Sequence, residues 1–447
     1  MNKLVVLRIS CQSSNGQYQV IAEIGNERKA SDLEVTGWLP KLSNSFLQAL
    51  KDWKLAFRNL DTPRRLKVKK LSIDKSVIGD SKNLLYSDLD EPRISWNEIC
   101  GELAEKLNIE MNSWLSFGGF QKIIDKLSQE LSPEDNIQII VCTNEEVIYN
   151  LPWNCWSILK NLKKSEVCFS LADESCSASS RQENRLEGLK ILVALGDDEG
   201  IDLERDKWIL GDQLSGKTDI FTKLLVQPSK AELETALETG TWDLLFFSGH
   251  SETFKNEGVL YLKGGNPIYL SKLEFSFKRA ISNGLKLAIF NSCDGVGIAR
   301  TLQKLQIPQI IVMREPIPDK VAHDFLTSYI ESLQSLDSGS PLYLAERYAR
   351  ESVKSSMTCA DWLPVVFQNH KVASPVRGFI EKSSFSMSND KIPSLHASIG
   401  IVPELQFEER IYGSKKSYKV TVIDPISENS IGKIQYRGGY GKPKYFP

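Results

Sequence analysis

The chain has 447 residues, 41% of them hydrophobic and 25% charged, with a formal net charge of −2. That composition supports two or three globular domains with a sizeable core, and so even a charge balance argues against nucleic acid or an anionic membrane as the main partner. No stretch approaches the roughly 20 apolar residues of a membrane helix, and the opening MNKLVVLRIS lacks a long apolar region followed by a small-residue cleavage site, so a cytoplasmic protein is expected.

In chain order, apolar runs at 4–9 and 19–24 predict a hairpin across the Asn15-Gly16 turn region. A helix is expected over 43–59, where Leu47, Leu50, Trp53, Leu55 and Phe57 give a mostly apolar side, with further helices over 96–107 and 119–131. The basic stretch 64–82 carries acidic interruptions and no interleaved aromatics, and reads as a solvated loop. From residue 136 strand and helix signals alternate. Apolar runs at 137–142, 189–195, 219–226, 242–248, 285–290 and 309–313 are separated by helical segments such as 229–238, 273–283, 297–305 and 319–333. A helix over 340–355 precedes a last strand at 361–367. Short, nearly continuous apolar runs suit parallel strands covered on both faces, and their alternation with helices predicts a doubly wound α/β sheet. Three regions follow: an α+β N-terminal domain over 1–135, an α/β domain over 136–372, and a partly disordered extension over 373–447 in which only 417–423 has a clear strand pattern.

The eight cysteines form no C-x-x-C pair, which gives a metal site little support. Several sit in apolar runs, as Cys142 and Cys168 do, and read as small buried hydrophobes. Cys293 differs. The strand Leu285-Lys-Leu-Ala-Ile-Phe-Asn stops at Ser292-Cys293 before an Asp-Gly turn, and the strand Trp242-Asp-Leu-Leu-Phe-Phe-Ser stops at Gly249-His250. Open α/β sheets bind ligands beyond the carboxyl ends of their strands, so both residues face one crevice. An imidazole there can take the thiol proton and later protonate a leaving amine. Glycine before the histidine and Asp-Gly after the cysteine permit close backbone approach, making the N–H groups of Gly249 and Cys293 candidate oxyanion donors.

The run 285–325, with Asn291-Ser-Cys293-Asp-Gly and Ile310-Ile-Val-Met-Arg-Glu-Pro-Ile-Pro-Asp-Lys-Val-Ala, resembles the CHAT family, most closely its cyanobacterial branch. Leu151-Pro-Trp153, the segment 190–197, Phe246-Phe-Ser-Gly-His250-Ser and Trp362-Leu-Pro-Val-Val match in the same order. The resemblance covers roughly 137–370 and implies a caspase-haemoglobinase-like sheet sandwiched by helices. It also implies a Cys-His dyad at His250 and Cys293, whose 43-residue separation is close to the caspase spacing of about 50. The activity implied is hydrolysis of peptide bonds in protein substrates through a thioester, without cofactor or metal. Members of the family often act as regulated proteases beside kinase, sensor or repeat domains. Latency in a signalling or defence pathway, with an activating protein or sensor as partner, is therefore implied here; a non-catalytic interaction module is the alternative.

By analogy with caspases, the primary pocket is lined by Asp197 and Asp198 after the strand at 189–195, and by Arg314 and Glu315 after the strand at 309–313. The carboxylates favour a basic residue before the scissile bond and Arg314 an acidic one. The reading leans to basic, with a structural ion pair for Arg314 or Glu315 left open. Gly211-Asp-Gln-Leu-Ser-Gly-Lys217-Thr218 fits the P-loop pattern, but a helix-like segment precedes it and a strand follows, the reverse of the order phosphate binding needs. Arg437-Gly438-Gly439 near the end would be an accessible cleavage point, and an ordinary mobile terminus explains it as well.

Overall fold

The computed structural model describes residues 1–12, 16–26, 33–60, 96–172, 189–214, 220–255, 257–292, 295–336 and 340–369, and beyond these only backbone strands within 404–446. Cys293, Asp294, the basic stretch 64–82, Lys217, Thr218 and Gly438-Gly439 lie outside the described residues.

The chain opens with β1 (Asn2–Cys11), β2 (Tyr18–Asn26) and β3 (Leu33–Leu39). They form an antiparallel meander, with Cys11 opposite Tyr18 at the expected turn. Three helices follow: α1 (Asn44–Asn59), α2 (Trp96–Leu115) and α3 (Gln121–Glu130). At the start of α1 the Ser43 hydroxyl accepts the Phe46 N–H at 3.0 Å, satisfying one of the donors a helix leaves unpaired. Its apolar side buries Phe46, Leu50, Trp53 and Phe57.

The alternating region begins with β4 (Asn136–Cys142), the short α4 (Glu146–Tyr149), β5 (Ser165–Ser170) and β6 (Leu189–Leu195). Next come α5 (Leu203–Leu214), β7 (Ile220–Val226), α6 (Lys230–Thr239) and β8 (Leu244–Ser248). A small antiparallel arm, β9 (Ser251–Phe254), β10 (Glu257–Leu262) and β11 (Asn266–Tyr269), interrupts the alternation. It resumes with α7 (Glu274–Ser282), β12 (Leu287–Asn291), α8 (Val296–Lys304) and β13 (Gln309–Met313). The series ends with α9 (Asp319–Ser335), α10 (Tyr343–Ser352) and β14 (Pro364–Gln368). A capping box on α6, in which Ser229 and Glu232 each accept the other's backbone N–H, fixes where that helix starts.

One eleven-stranded sheet collects these strands in the order β3-β2-β1-β4-β5-β14-β13-β12-β8-β6-β7. The run β13-β12-β8-β6-β7 is parallel throughout. Helices cover both faces. Leu210 of α5 and Tyr329 of α9 line a cavity with Ile220 on one side, whereas Phe221, the next residue of β7, stacks on Trp242, whose indole N–H donates to the Ala236 carbonyl of α6. The expected α/β sheet sandwiched by helices is thus present. The N-terminal α+β region is also present, and its strands extend the same sheet through β1–β4 pairing. Residues Met1–Lys382 form one compact unit.

Ser383–Pro447 forms a second unit. It contains an antiparallel sheet of β15 (Glu404–Tyr412), β16 (Lys415–Ile423), β17 (Ser430–Arg437) and β18 (Lys444–Phe446), four strands where the sequence pattern picks out one. The strands β3 and β9–β11 are likewise not among those expected from the sequence, and the apolar run around Cys168 folds as the further strand β5; pairing with neighbours decides them.

Candidate active site at the ends of strands β8 and β12

Strands β8 and β12 are adjacent, parallel and buried at every residue. Their register ends with Ser248 opposite Asn291. The chain therefore leaves both strands at one level, and in the sequence His250 and Cys293 each come two residues later. The residue after His250 is bonded to the residue before Cys293: the Ser251 hydroxyl donates to Ser292 Oγ at 2.8 Å, and both serines are buried.

Two glycines bring a third segment against this point. Gly249 has φ of 150°, and a Cβ on it would lie 3.0 Å from Gly196 Cα. A Cβ on Gly196 would lie 2.5 Å from the Tyr261 carbonyl oxygen. Only glycine allows either approach, and the segment leaving β6 consequently runs directly past the turn into His250. It is fastened by Gly196 N–H to the Ser248 carbonyl at 2.7 Å and by Asp197 N–H to the Tyr261 carbonyl at 2.9 Å, while Tyr261 N–H reaches the His250 carbonyl at 3.0 Å.

His250 is 1% exposed, and its Nε2 lies 2.7 Å from the Glu199 carbonyl oxygen. A carbonyl oxygen only accepts, so Nε2 carries the proton and the lone pair of the neutral ring sits on Nδ1. Nothing in the sequence marks Glu199 for this part, because the group that acts is its backbone carbonyl. Nor does any sequence signal mark Ser248 and Asp206, whose side chains meet at 2.6 Å beneath the site.

The four candidate pocket residues follow two strands, β6 and β13, that are not neighbours in the sheet. Asp197 is buried on the segment leaving β6, and its Oδ2 has no hydrogen-bond partner among the described residues. Asp198 beside it is exposed. Arg314 is buried after β13 and donates to the carbonyls of Leu151 at 2.7 Å and Asn150 at 3.3 Å. Burial lowers its pKa to about 10 against the opposing charge of Glu315, which leaves it cationic at neutral pH. Glu315 is fully buried and pairs with Lys54 at 3.1 Å and Arg58 at 2.6 Å of α1. Both Arg314 and Glu315 are thus held in contacts within the fold.

Two other thiols are held protonated by burial. Burial pushes Cys155 up to about 12 and Cys168 well above the ordinary range, so neither supplies a thiolate at neutral pH. In the P-loop-like segment, Gly211 lies within α5, and β7 follows the motif. The motif therefore begins in the last turn of a helix and leads into a strand, the reverse of the strand-then-helix order that phosphate binding needs. Among the described residues, no three His, Cys, Asp or Glu side chains are grouped to hold a metal ion, and no helix is long and apolar enough to cross a membrane.

The family model of the CHAT domain matches residues 121–375. Among solved structures, the chain is similar to the separase–securin complex of Saccharomyces cerevisiae, with 12% identity and a TM-score of 0.47. That match covers 82% of this chain but 30% of the other, so the chain spans less than a third of its length. A match to the Drosophila initiator caspase Dronc has 10% identity and a TM-score of 0.29, covering 43% of this chain and 84% of that one. No curated protein matches the chain. With the family model spanning more than half its length, the chain belongs to the CHAT domain family.

Proposed function

We propose that the chain is a cysteine endopeptidase that cleaves protein substrates with Cys293 as nucleophile and His250 as general base and acid. The observation that carries this reading is the Ser251–Ser292 hydrogen bond, which joins the residues next to His250 and Cys293 across two strands ending in register. The protonation of His250 supports it. With Nε2–H held by Glu199, Nδ1 is the nitrogen left to accept the thiol proton, and the carbonyl stabilises the imidazolium that results.

In this mechanism the Cys293 thiolate attacks the scissile carbonyl carbon, and the N–H groups of Gly249 and Cys293 stabilise the oxyanion. Proton transfer from His250 Nδ1 releases the amine and leaves a thioester. Water, deprotonated by the same imidazole, hydrolyses the thioester and regenerates the thiol. Asp197 forms the acidic wall of the primary pocket, with exposed Asp198 at its rim. Its unpartnered Oδ2 supports a preference for Arg or Lys before the scissile bond, since a substrate cation would supply the missing bond. A base only 1% exposed supports latency, with an activating protein opening the site.

The test compares new protein N-termini in a cell extract treated with wild type, Cys293→Ala or His250→Ala. Termini produced by wild type and by neither variant are expected, with basic residues preceding the cuts. Identical termini from all three proteins, across a range of extracts, would leave a non-catalytic interaction module as the better reading.

A further inference from the structure

The Glu199 carbonyl can hold one nitrogen of His250 only if its own segment is held in place. The segment that carries it runs from Gly196, at the end of β6, to Asp202, just before α5. Both of its ends converge on one residue. At the first, Gly196 N–H donates to the Ser248 carbonyl at 2.7 Å. At the second, Asp206, in the first turn of α5, accepts the Ser248 hydroxyl on Oδ2 at 2.6 Å. Ser248 is two residues before His250, so one residue closes the segment from both sides and sets the start of the turn into the imidazole.

Asp206 is fully buried, and a buried carboxylate holds its place only when bonded or paired. Besides Ser248 it has His323 of α9, whose Nε2 lies 3.5 Å from Oδ1. The same nitrogen lies 3.2 Å from the Asp202 carbonyl oxygen, and Asp202 N–H donates to Asp319 Oδ2 at 3.3 Å. The Asp202 carboxylate in turn accepts Arg205 N–H at 3.0 Å. Helix α9 also grips the neighbouring strand, since the Asn291 amide donates to the Ala322 carbonyl at 3.3 Å. The strand ends leading to His250 and Cys293 are therefore tied to the same two helices that fasten the Glu199 segment.

We propose that Asp206 and Ser248 are positioning residues: their hydrogen bond closes the 196–202 segment so that the Glu199 carbonyl keeps His250 in the Nε2–H form. This rests on the peptidase reading only for its consequence in rate; the effect on the imidazole stands apart from it. Neither residue touches substrate. A hydroxyl at 248 and a carboxylate at 206 act through the chain, by fixing where Glu199 and His250 meet.

The experiment uses the full chain labelled with nitrogen-15 at its four histidines, with His250→Gln to assign the His250 signals. Long-range proton–nitrogen correlation spectra at a pH where the imidazoles are neutral report which ring nitrogen carries the proton. Wild type is expected to show His250 as the Nε2–H form alone. Ser248→Ala should give a mixture of the two forms, and Ser248→Thr, which keeps the hydroxyl, should restore the single form. On a substrate from the N-terminus experiment, kcat/KM should fall about tenfold in Ser248→Ala and recover in Ser248→Thr, as a displaced catalytic group predicts. Asp206→Glu keeps the charge but moves the acceptor by one methylene, and should disturb His250 in the same direction even if Ser248→Ala does not fold. An unchanged His250 spectrum in folded Ser248→Ala or Asp206→Glu overturns the proposal. If wild type shows the Nε2–H form and the variants lose it, yet no protein gives Cys293-dependent cleavage, the positioning role stands and the peptidase reading falls.

Discussion

Arg58 and Glu315 meet at 2.6 Å, Nε to Oε2, across 257 residues of chain. Lys54, one turn earlier on α1, lies 3.1 Å from the other carboxylate oxygen, and its ammonium also donates to the Asn150 side chain at 2.7 Å. Arg314, next to Glu315, donates to the Asn150 and Leu151 carbonyls. Helix α1 therefore clamps the segment after β13 to the turn at 150–151.

The two sides of this clamp differ in what is left when one is removed. Glu315 is fully buried, whereas Lys54 and Arg58 keep 24% and 36% of their side-chain surface in water. Removing both cations leaves the buried carboxylate with Arg314 as its nearby cation and should cost about 3 kcal/mol; Glu315→Gln leaves Lys54 and Arg58 able to hydrate and Arg314 bonded to its two carbonyls, and should cost about 1 kcal/mol. Urea unfolding of Lys54→Ala/Arg58→Ala and of Glu315→Gln measures both, and equal losses would contradict this asymmetry.

Gly249→Ala should separate site geometry from global stability. Its φ of 150° and the 3.0 Å approach to Gly196 Cα together strain any side chain there, at a cost of about 1–3 kcal/mol. The folded variant is expected to lose more than tenfold in kcat/KM because the turn into His250 must shift. Activity per folded molecule at the wild-type level would show that the turn tolerates a Cβ.

Asp197→Asn removes the charge from the pocket wall with almost no change in shape. A charge-assisted pair is worth about 1.5–3 kcal/mol, so cleavage after Arg or Lys should fall about 10- to 100-fold while cleavage after an uncharged residue changes little. Paired peptides differing only at that residue provide the measurement. Equal losses on both peptides would remove Asp197 from the pocket.

Glu346 should make the fold pH-sensitive. Burial raises its pKa well above 4.5, and the charge of Glu166 adds to this against Arg350 and Arg347. Above about pH 4.5 the unfolded chain releases a proton that the folded chain retains, so this group lowers stability as pH rises toward its folded pKa. The slope approaches about 1.4 kcal/mol per pH unit inside that window and vanishes below it. Glu346→Gln resembles the protonated form, and its stability curve should be flatter than wild type above pH 4.5. Parallel curves for the two proteins would mean that Glu346 titrates normally.

Adding ATP with magnesium should leave the melting temperature unchanged. With the motif beginning in the last turn of α5 and β7 behind it, the motif does not open a helix whose N-terminus could receive phosphates. A nucleotide-dependent rise in melting temperature would contradict that reading.

The strands that build the site were legible because their signals are local. Residues 242–248 and 309–313 are short, mostly apolar runs, and the first stops at glycine; the first folds as β8 from Leu244 and the second as β13 over the same five residues. The family was legible for a similar reason, since the text around His250 and Asn291-Ser-Cys293 lies in contiguous stretches. Strand β5, by contrast, is six residues with serine at both ends, and it becomes a strand by lying between β4 and β14.

The sequence by itself determined the alternation of strands and helices, the family, and the two strand ends at which His250 and Cys293 stand. Tertiary structure alone decided the neighbours: that Glu199 offers a carbonyl to His250, that Asp206 reaches Ser248, and that Glu315 faces α1. The physical reason is range. Apolar periodicity and turn chemistry act over a few residues, whereas these contacts join positions 51, 42 and 257 residues apart and exist only once the sheet order and the helix packing have brought them together.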